Sequence, residues 1–128
     1  MTPENEKYFS ALYKRLRKAR PVPVVSVAIG DWKPVPKMCH ENVDRYTANQ
    51  PALNAVRGWI IDGTDGNEGY LLVAHSIVEE GGYLYDITPA DGLPVNPSAP
   101  RRFVEHIGTE KAFSDMLPEF TQHWVFAP

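Results

Sequence analysis

Apolar residues recur at Phe9, Leu12, Tyr13 and Leu16, a spacing of three, four and seven that places them on one stripe of a helix. Thr2 offers a capping hydroxyl and Pro3 suits a first turn, so a helix is predicted from Pro3 to about Leu16, closed off by Pro21 and Pro23. Val24 to Ile29 is a short β-prone run, and Gly30 to Pro36 reads as a loop punctuated by prolines. A second helix is predicted from near Lys37 to Ala48, stopped by Asn49, Gln50 and Pro51. Cys39 then sits in its first turn.

From Ala55 the period changes from helical to strand-like. Ala55 to Asp62, Tyr70 to Glu80 and Tyr83 to Thr88 are predicted as an antiparallel meander, the first two joined across a turn rich in Gly and Asp. Pro89 to Pro100 holds four prolines and reads as a loop, followed by a strand at Phe103 to Ile107, a short helix at Glu110 to Met116 and a last strand at His123 to Phe126. The expected fold class is α+β: an antiparallel sheet with the cysteine-bearing helix packed on one face. A chain of 128 residues fits one domain, residues 1–128, around one core.

Composition removes several classes. Apolar residues at 43% and charged residues at 23% match folded soluble domains and argue against disorder. No run approaches the roughly 18 apolar residues of a membrane span, and the first 18 residues are charged rather than signal-like. A cytoplasmic protein with no membrane partner is expected. With one cysteine there is no internal disulfide and no Cys-rich zinc motif. Lys14 to Arg20 carries five of the 13 basic residues, leaving eight against 16 acids elsewhere. A helix end with a solvated basic face is the simpler reading of that cluster, so a nucleic-acid partner is not expected.

The chemistry centres on Cys39. A thiol reacts as thiolate, and the start of a helix favours negative charge while its N–H groups can meet an oxyanion. The bland alternative is a core cysteine, because Cys39, Val43 and Tyr46 share a helix face. The hairpin adds to the functional side. If Gly81 and Gly82 form a two-residue turn, Glu80 faces Tyr83, Ile77 faces Asp86, and Asp86 is the diagonal neighbour of His75 at about 7 to 8 Å. A three-residue turn would send Asp86 to the other face. His40 lies about 100 degrees around the helix from Cys39 and is expected to be exposed. His106 and His123 are expected to be structural, and Gly63 to Gly69 belongs to a hairpin rather than to a phosphate loop.

The segments Cys-His-Glu-Asn-Val at 39 to 43, His-Ser-Ile-Val-Glu at 75 to 79 and Asp-Ile-Thr-Pro at 86 to 89 resemble the transglutaminase-like and papain-like cysteine enzymes. In that superfamily a cysteine begins a helix packed on an antiparallel sheet that supplies His and Asp. The Val56, Arg57, Gly58 strand also resembles small bacterial and phage domains of this kind. The resemblance covers about the middle half of the chain. It implies a papain-like or transglutaminase-like core and a triad of Cys39, His75 and Asp86. The glutamine that papain-like enzymes place before the cysteine is missing between Asp31 and Met38, so Trp32, Asn42 or backbone would complete the oxyanion hole.

The resulting expectation is a thiol-dependent hydrolase or acyltransferase acting on a peptide, amide or ester substrate, with no cofactor and no metal. Two other readings stay open. One is a binding module that keeps the fold without turnover, and the other is a metal-binding protein using the same three residues. The sequence does not fix an oligomeric state.

Overall fold

The computed structural model describes residues 1–90 and 100–127. Their order is α1 (Pro3–Tyr13), a 3₁₀ turn (Leu16–Lys18), β1 (Arg20–Val22), α2 (Cys39–Thr47), β2 (Leu53–Thr64), β3 (Tyr70–Glu80), β4 (Tyr83–Tyr85), β5 (Arg101–Glu105), α3 (Glu110–Phe120) and β6 (Gln122–Val125). The fold is therefore α+β, with three α-helices among the described residues and an open six-stranded sheet in the order β1-β5-β2-β3-β4. The paired strands β2 with β5, β3 with β4 and β3 with β6 all run antiparallel. β6 pairs with the first residues of β3 and β4 with the last. The loop expected from Pro89 to Pro100 falls mostly on residues 91–99, which lie outside the described residues.

The chain packs as two compact units, each assembled from separate segments, and β2 and β3 contribute residues to both. The first comprises Met1–Arg20, Arg57–Ala74 and Arg102–Pro128. Its cluster joins the predicted stripe Phe9, Leu12 and Leu16 to Trp59, Leu72, Val104, Phe113 and Phe120. Thr2 caps α1 by accepting from the Asn5 N–H at 3.2 Å, as its position predicted. The helix ends at Tyr13, and Leu16 reaches the core from the 3₁₀ turn instead. No basic residue lies in the last turn of α1, so the basic cluster does not complement that helix's dipole.

In the same unit Trp59 Nε1 donates to the Tyr8 hydroxyl at 2.9 Å, and that hydroxyl lies 2.7 Å from His106 Nδ1. His106 Nε2 lies 2.8 Å from the Thr109 carbonyl. A carbonyl only accepts, so Nε2 carries the proton and Nδ1 accepts from Tyr8. His106 is thus a structural link between α1 and the turn before α3. His123 lies against the rings of Phe9 and Phe120, also in the core role expected for it.

The second unit comprises Pro21–Val56 and His75–Arg101. Its cluster is Val43 of α2 with Val78, Tyr85 and Ile87, flanked by Val25, Val27, Tyr46, Leu53 and Ala55. The cysteine-bearing helix thus packs on the sheet through Val43. Gly81 and Gly82 both have positive φ, +59° and +85°, and form the two-residue turn that sets Val78 opposite Tyr85 and Glu80 opposite Tyr83. The register is the one the glycine pair predicted.

Several boundaries differ from the sequence expectation. Val24 to Ile29 forms no strand; Val24 makes a single parallel bridge to Asp86, and Ile29 closes a turn with Trp32. The strand lies earlier, at Arg20–Val22. α3 runs through Pro118 to Phe120, past the predicted end at Met116. Thr121 Oγ1 donates to the Leu117 carbonyl at 2.7 Å, which helps satisfy the last carbonyls of the helix.

At Gly58 β2 and β5 lie close together. A Cβ there would meet the Val104 carbonyl oxygen at 2.3 Å and the tip of the Phe103 ring at 2.5 Å. Backbone cannot step aside as a side chain can, so the strands would have to separate. Gly58→Ala is expected to destabilise the protein by about 3 kcal/mol, measured by urea unfolding. A loss below about 0.5 kcal/mol, the range of ordinary surface changes, would show that this contact is not tight.

Candidate functional site

Lys37 adopts φ +66°, a left-handed conformation uncommon for a residue with a side chain, and the chain turns there before entering the helix. α2 consequently begins at Cys39, two residues later than the pattern suggested, with Met38 at the cap and no capping side chain. Cys39 is the first helical residue and is half-buried.

Asn42, one turn on, is buried and fixes this geometry. Its Oδ1 accepts from the Val35 N–H at 3.1 Å, while Nδ2 donates to the Val35 carbonyl at 2.8 Å and to Thr88 Oγ1 at 3.1 Å. The side chain acts as a strand partner for the loop before the helix. Both amide protons are committed, which leaves none to offer an oxyanion. Trp32 lies under the Arg45 guanidinium, 4.8 Å from ring centroid to carbon, and Arg45 belongs to the last turn of α2 rather than the first. The two residues named for the oxyanion hole are thus engaged in holding loop and helix.

The other side of the site comes from β3 and the segment after β4. His75 Nε2 lies 2.7 Å from Asp86 Oδ2, and Asp86 is completely buried. The ladder between β3 and β4 stops at Tyr85, so Asp86 is not held by the hairpin. Instead its N–H donates to the Pro23 carbonyl at 2.8 Å, and its carbonyl accepts from the Val25 N–H at 2.7 Å. Oδ1 accepts from the Thr88 N–H at 2.9 Å, and Arg101 donates to Oδ2 at 2.6 Å and to the Thr88 carbonyl at 3.1 Å. The predicted diagonal pair forms, with support the sequence did not announce.

Cys39 hydrogen-bonds both His75 and His40. With Nε2 of His75 on Asp86, Nδ1 is the ring nitrogen left for the sulfur, so the neutral ring carries its proton on the Asp86 side and presents a lone pair to the thiol. His40 is half-buried rather than exposed, with Nδ1 2.5 Å from Ser76 Oγ. The expectation that it points away from Cys39 is corrected. Ser76 was also missed. From Ala74 to Val78 every residue of β3 is buried, so alternation gives no face there.

Burial pushes the Cys39 thiol up, but hydrogen bonds from His40 and His75 and the charges of those rings outweigh it and bring the thiol from 9.0 to about 6. Burial favours neutral His75, yet hydrogen bonds and charge from Asp86 and Cys39 raise it from 6.5 to about 9. For Asp86 burial acts upward as well, and His75, then Arg101 and the Thr88 N–H, hold its carboxyl below the usual value. Between about pH 6 and 9 the site therefore carries thiolate, imidazolium, carboxylate and guanidinium, two charges of each sign.

Taken singly, His75 contributes stability that is full below about pH 6.5 and lost as pH rises through about 9. Cys39 contributes stability that is full above about pH 9 and lost as pH falls through about 6. As a pair, the folded protein releases its two protons near 6 and 9, and the unfolded chain releases them near 6.5 and 9.0 with the assignment exchanged. Both states bind nearly the same number of protons throughout. The pair therefore makes reactivity, rather than stability, depend on pH.

Among the described residues no group of three His, Cys, Asp or Glu side chains is arranged to hold a metal ion. None of the described helices is long and apolar enough to cross a membrane. No protein-family model, curated protein or solved structure matches the chain, so the site is read from its own chemistry.

Alkylation of Cys39 by iodoacetamide is expected to rise with a midpoint near pH 6. His75→Ala should move that midpoint up by roughly one unit or more, since it removes both a hydrogen bond and a cation. A wild-type midpoint at or above about 8.5, the ordinary thiol value, would refute the ion pair.

Proposed function

We propose that the protein is a thiol-dependent hydrolase or acyltransferase acting on an amide or ester, with Cys39 as nucleophile, His75 as proton carrier and Asp86 as the group that orients and charge-balances the ring. The observation that carries this reading is the hydrogen-bonded series Cys39, His75, Asp86, in which a half-buried thiol meets an imidazole fixed at 2.7 Å by a fully buried carboxylate. A core cysteine has no need of such a series. The resemblance to transglutaminase-like and papain-like enzymes points the same way and supplies the same three roles.

The chemistry follows from the charges. The thiolate attacks the carbonyl carbon, the carbonyl π pair moves to oxygen, and the tetrahedral oxyanion forms beside the start of α2. Imidazolium His75 gives its Nδ1 proton to the leaving amine as the C–N bond breaks, which leaves a thioester on Cys39. Neutral His75 then takes a proton from water, or from an acceptor amine or hydroxyl, as that group attacks the thioester. The acyl product leaves and the thiolate and imidazolium return. No cofactor enters any step.

An amide substrate needs the thiolate and the imidazolium together, so kcat/KM should follow a bell with limbs near pH 6 and 9. Cys39→Ser and His75→Ala should each lower turnover by roughly 10⁴-fold or more, and combining them should add little, because the residues act as a unit. Asp86→Asn should lower the rate and also the melting temperature, because it breaks a buried ion pair with Arg101, at a cost of about 3 kcal/mol. Screening p-nitroanilides and p-nitrophenyl esters supplies the substrate. Full activity in Cys39→Ser, or activity that tracks added zinc, would replace the thiol mechanism with the metal reading.

A further inference from the structure

The proposed acyl transfer lacks a side-chain donor for its oxyanion. Both protons of the Asn42 amide are held by Val35 and Thr88, and Trp32 lies against Arg45 in the last turn of α2. One polar side chain at the thiol has no role yet in the mechanism. His40 hydrogen-bonds the Cys39 sulfur and holds Ser76 Oγ at 2.5 Å through Nδ1. With Nδ1 on Ser76, the nitrogen turned to the sulfur is Nε2. A thiolate accepts and cannot donate, so Nε2 bears the proton that faces the sulfur. Ser76 has no exposed surface, so water does not compete for this bond. Its hydroxyl at Nδ1 therefore holds the ring with Nε2 turned to the sulfur.

We propose that His40 is a second catalytic imidazole of the site, whose Nε2–H holds the thiolate in the resting protein and the oxyanion in the tetrahedral intermediate, and that Ser76 is its positioning residue. When Sγ bonds to the carbonyl carbon its negative charge passes to the carbonyl oxygen, and the same donor follows that charge over one bond length. His75 and His40 divide the work. His75 moves protons, with its Nδ1 lone pair or proton at the reacting atoms, whereas His40 only donates a hydrogen bond from Nε2 to the negative charge. The proposal rests on the thiol acyl-transfer reading.

Two reagents separate these roles. Iodoacetamide is attacked at a saturated carbon: the S–C bond forms, iodide leaves, and no oxyanion arises. p-Nitrophenyl acetate is attacked at a carbonyl: the S–C bond forms, the π pair moves to oxygen, and p-nitrophenolate leaves when the carbonyl re-forms. Each variant is compared at its own high-pH plateau, where Cys39 is fully thiolate. His40→Ala is expected to lower the acylation plateau about 100-fold and to leave the alkylation plateau within about threefold, the loss typical of one oxyanion donor. His40→Gln, which restores an N–H, should recover most of the difference. Ser76→Ala should lower acylation selectively by about tenfold, and Ser76→Thr should not. If acylation and alkylation fall together, or acylation does not fall, His40 is no oxyanion donor. Should His40→Ala not fold, the same criterion applied to Ser76→Ala against Ser76→Thr decides. A wild-type protein that p-nitrophenyl acetate does not acylate on Cys39, with Cys39→Ser as control, would overturn the thiol acyl-transfer reading and this proposal with it.

Discussion

A carboxylate with no exposed surface must be matched inside the protein, and Asp86 imposes that condition on everything around it. Its oxygens receive the imidazole of His75, the guanidinium of Arg101 and the Thr88 N–H. Its backbone is held from both sides by Pro23 and Val25. Thr88 in turn receives Asn42, which fixes the loop at Val35 and the start of α2. Four separate stretches of chain are thus tied to one buried charge. Removing a single partner would leave that charge uncompensated, which costs more than the pairing gains. Its stabilisation is present at neutral pH and fades only as pH falls through its lowered pKa.

The carboxylate also decides how the thiol is charged. An imidazole held by a buried anion is easier to protonate, and an imidazolium beside a thiol makes the thiolate easier to form. Each step reverses what burial alone would do, since burial opposes the charged form of both Cys39 and His75. The pair exchanges the order in which its members lose protons while leaving the proton count of the protein almost unchanged. A reactive thiolate can therefore be kept at neutral pH without making the fold sensitive to pH in the same range. Arg101 supplies the second cation, without which the thiolate and the carboxylate together would outnumber the imidazolium.

What the sequence disclosed followed from local rules. The paired glycines at 81 and 82 have few conformations that join two strands, so the register could be read in advance; it brings Asp86 near His75, while Pro23 and Val25 hold it there. The stripe of Phe9, Leu12 and Leu16 likewise disclosed a buried face, although the last residue reaches it from a 3₁₀ turn. What stayed hidden depended on distant partners or single backbone angles. Nothing near Arg101 announces Asp86, because the pairing is a tertiary contact between residues 15 apart with no local pattern to carry it. Lys37 shows no sign of its positive φ, so the helix was read as starting two residues early. Val24 to Ile29 has the composition of a strand but finds a partner only at Asp86 and within its own turn at Trp32. The last helix, expected to end at Met116, runs on through Pro118 because tertiary packing of Phe113 and Phe120 keeps it going.

The position of Asn42 also explains why its amide is engaged and would offer no donor in the proposed acyl transfer. Cys39 begins its helix only because the chain turns at Lys37, and the loop before that turn contains three prolines, at 34, 36 and, further back, 23, which cannot donate backbone hydrogen bonds. A side chain that both donates and accepts is required to hold Val35, and an amide one turn into the helix meets the requirement in both directions. That requirement removes Asn42 from the chemistry. Under the proposed acyl transfer a side-chain donor would stand at the same end of α2 on a residue that the loop does not need, and His40 meets that condition through its bond to the sulfur, with Ser76 rather than the loop as its second partner.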